Sequence, residues 1–182
     1  MLYDYARKTL IQYAALNHTE DIQDLVVLVE NDETVVTKSN TTGHITASGL
    51  VLCRDKILLI FHKKLQKLIQ PGGHLEDDMS LCEAAIREVK EETGLDTVPH
   101  GIDGIDFKEI IPLHIDIQII PFNEKKNEAE HLHYDCMFLL NATHENVDLD
   151  LAEVEKFSWV SPDEQLDDVG LTKAFEKIRK IV

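Results

Sequence analysis

The sequence predicts an α/β fold: a mixed β-sheet covered by helices on both faces, preceded by a helical extension. Three observations predict it. Short aliphatic runs at 44–53, 56–62, 131–140 and 156–160 have the length and residue types of strands. A helix with a start signal at Ser80 and a stop signal at Gly94 stands among them, and a helical pattern closes the chain. Strands interspersed with single helices call for a layered sandwich. At 182 residues and 43% hydrophobic content, there is apolar material for one domain of good size and a small extension.

Residues 2–16 place Leu2, Tyr5, Ala6, Leu10, Tyr13 and Ala14 at helical spacing. After a break at Asn17–Thr19, a second helix carrying Leu25, Val26 and Leu28 runs to about Glu30. The pair reads as an appended hairpin: a structural cap, a surface for a homodimer, or an aid to substrate selection. Asn31–Gly43 is polar and turn-like, a linker that divides the chain into an extension at 1–42 and a main domain at 43–182. His44–Cys53 and Lys56–His62, joined by Arg54-Asp55, read as a β-hairpin. The segment from Gly94 to Gly104 is irregular. Phe107–Phe122 reads as strand, with Ile115, Ile117 and Ile119 alternating against Asp116 and Gln118. Asn123–Glu130 is a charged turn, His131–Leu140 a strand, Asn141–Leu151 an acidic loop and Lys156–Val160 a short strand. Ser161-Pro162-Asp163-Glu164 starts a closing helix to Val182.

The chain is organised around Pro71–Leu95. Ser80 and Glu83 form a capping box, and Gly94 supplies a left-handed stop. Cys82, Ile86, Val89 and Thr93, with Ala85 at the edge, share one stripe that should face the core. Glu88, Glu91 and Glu92 fall on the adjoining stripe, where Ala84 leaves room above them. Three carboxylates at the negative end of the helix dipole cost about 0.3–1 kcal/mol each. Arg87 and Lys90 offset only part of that. Oxygen donors clustered this way suit a hard divalent cation, Mg²⁺ or Mn²⁺. A solvated acidic face is the plainer alternative, which the preceding Gly-Gly loop and the anti-dipole placement disfavour.

This stretch resembles the Nudix box, G-x5-E-x7-R-E-U-x-E-E-x-G-U, with U a bulky aliphatic. Gly73, Arg87, Glu88, Val89, Glu91, Glu92, Gly94 and Leu95 match it, and Met79 stands at the first glutamate. The resemblance implies an α/β/α sandwich from about residue 43 onward. It also implies divalent-metal-dependent hydrolysis of a diphosphate linkage, in a nucleoside diphosphate derivative or related organic pyrophosphate, with water attacking phosphorus. Carried over by position, Glu88, Glu91 and Glu92 are metal ligands and proton acceptors, and the Gly72 carbonyl joins the metal. Arg87 orients the carboxylates, and Gly73 lets the backbone turn tightly as glycine at positive φ can. A further carboxylate from a late loop is expected at Glu153, with Asp150 and Glu155 as alternates. The family glutamate at Met79 supports the box arginine, which a thioether cannot do; Glu76, Asp77 or Asp78 stand near enough to substitute. The competing reading is a catalytically weakened nucleotide-binding module.

Two further groups are candidates for substrate binding. Lys63 and Lys64 follow the second strand and bring positive charge for a phosphate, although on a strand only one would face a cleft. His74 follows the glycine pair. On a strand, i, i+2 spacing puts His131, His133 and Asp135 on one face. That face reads as substrate-pocket lining, as structural hydrogen bonding, or as a transition-metal pair with a carboxylate. A net charge of −16 argues against binding a nucleic-acid backbone, and no apolar run approaches a membrane span. Three separated cysteines, Cys53, Cys82 and Cys136, with a start that lacks an apolar leader, predict a cytoplasmic protein with free thiols.

Overall fold

The computed structural model describes residues 2–18, 22–101, 104–124 and 129–182. Its axis is β1 (Gly43–Cys53), buried along its whole length. Alternate side chains of β1 feed two apolar layers: Ile45, Ala47 and Val51 enter one, Leu50 and Leu52 the other. That is the period of two a strand imposes, here with both faces covered. β2 (Lys56–His62) returns antiparallel to it through Leu52↔Ile57 and Cys53↔Lys56. β7 (His131–Ala142) lies parallel along its other edge, from Gly43↔Leu132 to Leu52↔Asn141. β6 (His114–Ile120) pairs with β7, and β8 (Val154–Val160) pairs with β2. Three short strands complete the sheet: β3 (Lys67–Ile69) on β2, β4 (Gly72–His74) on β1 and β5 (Thr97–Pro99) on β7. Among the described residues only β1–β7 is parallel, so the sheet is mixed.

Helices cover both faces. On one lie α1 (Leu2–Leu16), α2 (Gln23–Asn31) and α3 (Leu81–Thr93). Ala6, Leu10, Tyr13, Leu25 and Val29 share a single apolar cluster with Val89 and Phe138. Each fully buried aliphatic of α1 and α2, such as Leu10 or Leu25, is worth about 1.5–3 kcal/mol. On the other face α4 (Val169–Ile178) packs Leu171, Ala174, Phe175 and Ile178 on Leu50, Leu59 and Met137. This is the α/β/α sandwich the sequence predicts. Cys53, Cys82 and Cys136 are free and buried. No helix among the described residues is long and apolar enough to cross a membrane.

Several elements differ from expectation. The 31–43 stretch is more than a linker: Asp32 caps a 3-10 turn at Glu33–Val36 whose Val35 is buried in the core. Phe107–Phe122 is not one strand. Its start is a 3-10 turn at Phe107–Glu109 capped by Asp106, and the strand begins only at His114, beyond Pro112, which has no N–H to give a ladder. The closing helix starts at Val169 rather than Ser161. Ser161 accepts the N–H groups of Asp163 and Glu164 in one closed turn, and Asp168 makes the cap. Ala84 does not leave room on the acidic side; it is fully buried, because α3 is sunk between the sheet and the N-terminal helices. The capping box is offset by one residue. Ser80 Oγ accepts from the Glu83 N–H at 3.1 Å, while the Glu83 carboxylate accepts from the Met79 N–H at 2.7 Å. Gly94 ends α3 at φ 71°. The expected features at Asn17–Thr19, Gly94–Gly104 and Asn123–Glu130 lie partly outside the described residues.

Candidate active site

A cleft of about 830 Å³ opens where the acidic stripe of α3 meets β4, the turn after β2 and the loop before β8. Glu88, Glu91, Glu92, Glu153, Gly72, Lys63, Lys64, His74, His133 and Asp135 all line it. Arg87 and His131 stand behind this lining and touch residues in it.

Glu92 is the most enclosed of the helix carboxylates, with 6% of its surface exposed. Its Oε2 accepts from the Gly72 N–H at 2.8 Å. Burial pushes its carboxyl up to about 8; the Gly72 N–H opposes this, and the charges of Glu88, Glu153 and Asp150 add to it. Burial likewise raises Glu88, against the opposing Arg87 guanidinium. Glu91 is more exposed and is tied by Arg87 Nη1 at 3.0 Å. Gly73 sits against Glu88: a Cβ there would lie 2.7 Å from its Oε2. Gly73 is not among the positive-φ residues, so close approach, not a left-handed turn, is what requires glycine.

Arg87 organises the acidic side. Its Nε and Nη2 donate to the two Asp78 oxygens at 2.9 and 3.0 Å, a bidentate pair. Nη2 also donates to the His74 carbonyl, and Nη1 to Glu88, each at 2.9 Å. These partners raise the guanidinium further above its already high value. Across the cleft, Lys63 donates through its backbone N–H to the Glu153 carbonyl at 3.0 Å and through Nζ to the Leu151 carbonyl. It therefore anchors the loop that carries Glu153. Both lysines reach the cleft, against the expectation of one, because 63–66 is a turn and strand alternation does not apply there.

The donor set fits a hard divalent cation. One ligand atom each of His62, Glu92 and Glu153 lies within 4.8 Å of the others, and Glu92 is a buried carboxylate crowded by like charges. The Gly72 backbone is already in contact with Glu92. A divalent ion would relieve both burial and repulsion.

Buried Asp135 accepts from Thr46 Oγ1 at 3.0 Å, Ser48 Oγ at 2.6 Å and Gln70 Nε2 at 2.8 Å. Burial raises its carboxyl and the three donors oppose the rise. Beside it His44, His74, His131 and His133 gather, their neighbouring ring centroids 4.5–5.4 Å apart. Burial, then the other imidazoles and Lys64, push His133 down to about 3.

The family described as NUDIX domain matches residues 43–180. The chain belongs to the Nudix family. The "Probable DHNTP pyrophosphohydrolase" of Lactococcus lactis is 33% identical over 145 residues, covering 79% of this chain and 80% of that protein. "Phosphatase NudJ" of Escherichia coli K12 is 41% identical over 58 residues, a stretch of 31% of this chain and 38% of that protein. Among solved structures, a Nudix-family hydrolase from Clostridium perfringens superposes with TM-score 0.57 at 26% identity, over 76% of this chain and 98% of that one. The E. coli dihydroneopterin triphosphate pyrophosphohydrolase superposes with TM-score 0.54 at 15% identity, over 76% and 96%, a likeness of fold alone. This Nudix chain is a pyrophosphohydrolase by type.

The one departure from the Nudix box has a visible answer. Met79 is half exposed, and Asp78 holds Arg87 where the pattern has glutamate one residue later. The sequence leaves Asp78 as one of three possibilities; only the fold selects it. No local sequence pattern points to Thr46, Ser48, Gln70 or His44. Their signal lies in pairing, not pattern: Thr46↔Asp135 and His44↔His133 are register partners on β1 and β7.

Proposed function

We propose that this Nudix hydrolase cleaves a diphosphate linkage in a nucleoside diphosphate derivative or related organic pyrophosphate, with Mg²⁺ or Mn²⁺ held by Glu88, Glu91, Glu92, the Gly72 carbonyl and Glu153. The Lactococcus relative's name adds DHNTP to the substrates worth testing. The catalytic unit is 43–182, with 1–42 packed on its α3 side. The observation that carries the reading is Glu92: a buried carboxylate pushed up to about 8, with Glu88 and Glu153 adding to the negative field.

A bound ion supplies charge neutralisation at the phosphate oxygens and acidifies water. The chain does the rest. Arg87 clamps Glu88 and Glu91, and Gly72 fixes Glu92, so the carboxylates are set before substrate arrives. A carboxylate in this cluster accepts the proton of the attacking water. Lys64 faces the cleft as the mobile positive charge for a phosphate oxygen, while Lys63 keeps the Glu153 loop in place. His74, His133 and Asp135 line the same cleft and serve the part of the substrate beyond the diphosphate, with His131 buttressing His133.

Phosphate and pyrophosphate release with Mg²⁺, across nucleoside diphosphate derivatives, nucleoside triphosphates and DHNTP, tests this. Release should be metal-dependent on at least one of them, and Glu92→Gln should abolish it while nucleotide affinity remains. If the wild-type chain never exceeds the enzyme-free rate on any of these, the nucleotide-binding module replaces the hydrolase.

A further inference from the structure

We propose that His44, His131 and His133, with His74 beside them, form a second metal site, distinct from the glutamates, that takes a nitrogen-preferring transition metal such as Zn²⁺. One nitrogen from each of His44, His131 and His133 lies within 4.8 Å of the others. The Nε2 atoms of His131 and His133 are 3.2 Å apart. Two nitrogens bound tetrahedrally to one Zn²⁺ at about 2.0–2.1 Å stand about 3.3 Å from each other. In the metal-free chain His133 Nε2–H donates to His131 Nε2 across this distance; an ion would take the place of that hydrogen, His133 carrying its proton on Nδ1 instead, with little movement of either ring.

The backbone sets the tautomers this requires. His131 Nδ1 is 2.8 Å from the Ala129 carbonyl, and His44 Nδ1 is 3.2 Å from the Asn40 carbonyl. A carbonyl oxygen only accepts, so in both contacts Nδ1 carries the hydrogen and Nε2 is left as the lone-pair nitrogen. Imidazole–carbonyl pairs of this kind orient metal-binding histidines. The rings are also set on rigid elements. His44 and His133 are register partners across the parallel β1–β7 pair, and His74 enters from β4, bonded to β1. His44 and His131 are buried, and four imidazoles this close cannot all be cationic, so the cluster presents neutral nitrogens, the form metals bind.

The two sites differ in donor type: the first offers carboxylates and a carbonyl with one imidazole, His62, and the second offers imidazoles alone, the set that favours Zn²⁺, Co²⁺ or Ni²⁺ most strongly. His74 and His133 also line the cleft, so an open position on the second ion would face the same substrate space as the glutamates. This inference does not rest on the hydrolase reading, because the site exists equally in a nucleotide-binding module.

The test uses the full chain, stripped of metal and loaded with Zn²⁺ or Co²⁺ alone, then desalted into excess Mg²⁺. One equivalent should be retained. The Co²⁺ form should show the visible bands of a low-coordinate site, and X-ray absorption on the Zn²⁺ form should show scattering from three imidazoles, where zinc at His62, Glu92 and Glu153 would show one. His44→Gln and, separately, His133→Gln should weaken Co²⁺ binding by more than the about 10–100-fold typical of indirect changes. Glu92→Gln should leave it intact. Circular dichroism reports whether each variant folded, and the absorption spectrum of the wild type decides the question without them. Oxygen-only scattering, loss of Zn²⁺ into excess Mg²⁺, or binding lost in Glu92→Gln but kept in His44→Gln would each overturn the second site.

Discussion

Replacing Glu92 by glutamine isolates the cost of one carboxylate from the rest of the site. Its carboxyl goes from 4.5 to about 8 on folding, with burial as the main cause. A carboxyl raised in the folded state stabilises the fold below its unfolded value, and that contribution fades as pH rises through the folded value. In the metal-free chain it is therefore full below pH 4.5 and gone above about pH 8. Each pH unit in that window carries about 1.4 kcal/mol, so the loss by the upper end is about 4 kcal/mol. Glutamine stays neutral throughout, and its side-chain oxygen still accepts the Gly72 N–H. In EDTA, the melting temperature of Glu92→Gln relative to wild type should be little changed near pH 4.5. At about 2–4 °C per kcal/mol for a chain of this size, the gap should grow to on the order of 10 °C by pH 8. Mg²⁺ should then close more than half of it, because an ion at a hundred times its Kd adds about 2.7 kcal/mol to the form it binds. Scanning calorimetry at a series of pH values reads both effects. A gap that does not vary with pH, or equal stabilisation of both proteins by Mg²⁺, refutes the reasoning.

Gly73→Ala places a methyl group 2.7 Å from Glu88 Oε2. The carboxylate is the far end of a flexible side chain and can shift together with its Arg87 contact, so stability should change by less than about 1 kcal/mol, while Mg²⁺ affinity by calorimetric titration and turnover both fall at least about tenfold. Asp78→Ala removes the bidentate partner of Arg87 and should cost about 2 kcal/mol in denaturant melts, with turnover reduced. Met79→Glu alone, at an exposed position, should stay within about 0.5 kcal/mol of wild type with turnover unchanged. Combined with Asp78→Ala it should restore activity, since the new carboxylate then has Arg87 to hold. Lys64→Ala should raise KM by about tenfold with a smaller change in kcat, read from steady-state rates, if the lysine meets substrate in the ground state.

What the sequence discloses and what it withholds divide along physical lines. α3 is legible because its cap, stop and apolar stripe agree locally, and an error of one residue in the Glu83 contact leaves the helix where it was expected. β4 is not legible: Gly72 and Gly73 have no strand preference and become strand only by bonding to Ala47 and Ser48 of β1. The start of the closing helix is not legible either: Ser161-Pro162-Asp163-Glu164 is a sound local start signal that a single turn can also use. The same limit governs chemistry. The glutamates stand on one stripe of α3, so spacing alone puts them on the same cleft, while the ligand-distance group joins Glu92 to His62 and Glu153 from other elements. Asp78 reaches Arg87 from the loop ahead of that helix, and His44 reaches His133 only through the register of a parallel strand pair. The two clusters differ in what they ask of an ion. Glu92 is a buried carboxylate among like charges, and a cation there would neutralise charge that the fold otherwise holds at a cost to stability. His133 sits neutral among imidazoles, so a cation there would be held by nitrogen lone pairs, not by opposite charge. Charge selects the ion at the first cluster and donor chemistry selects it at the second.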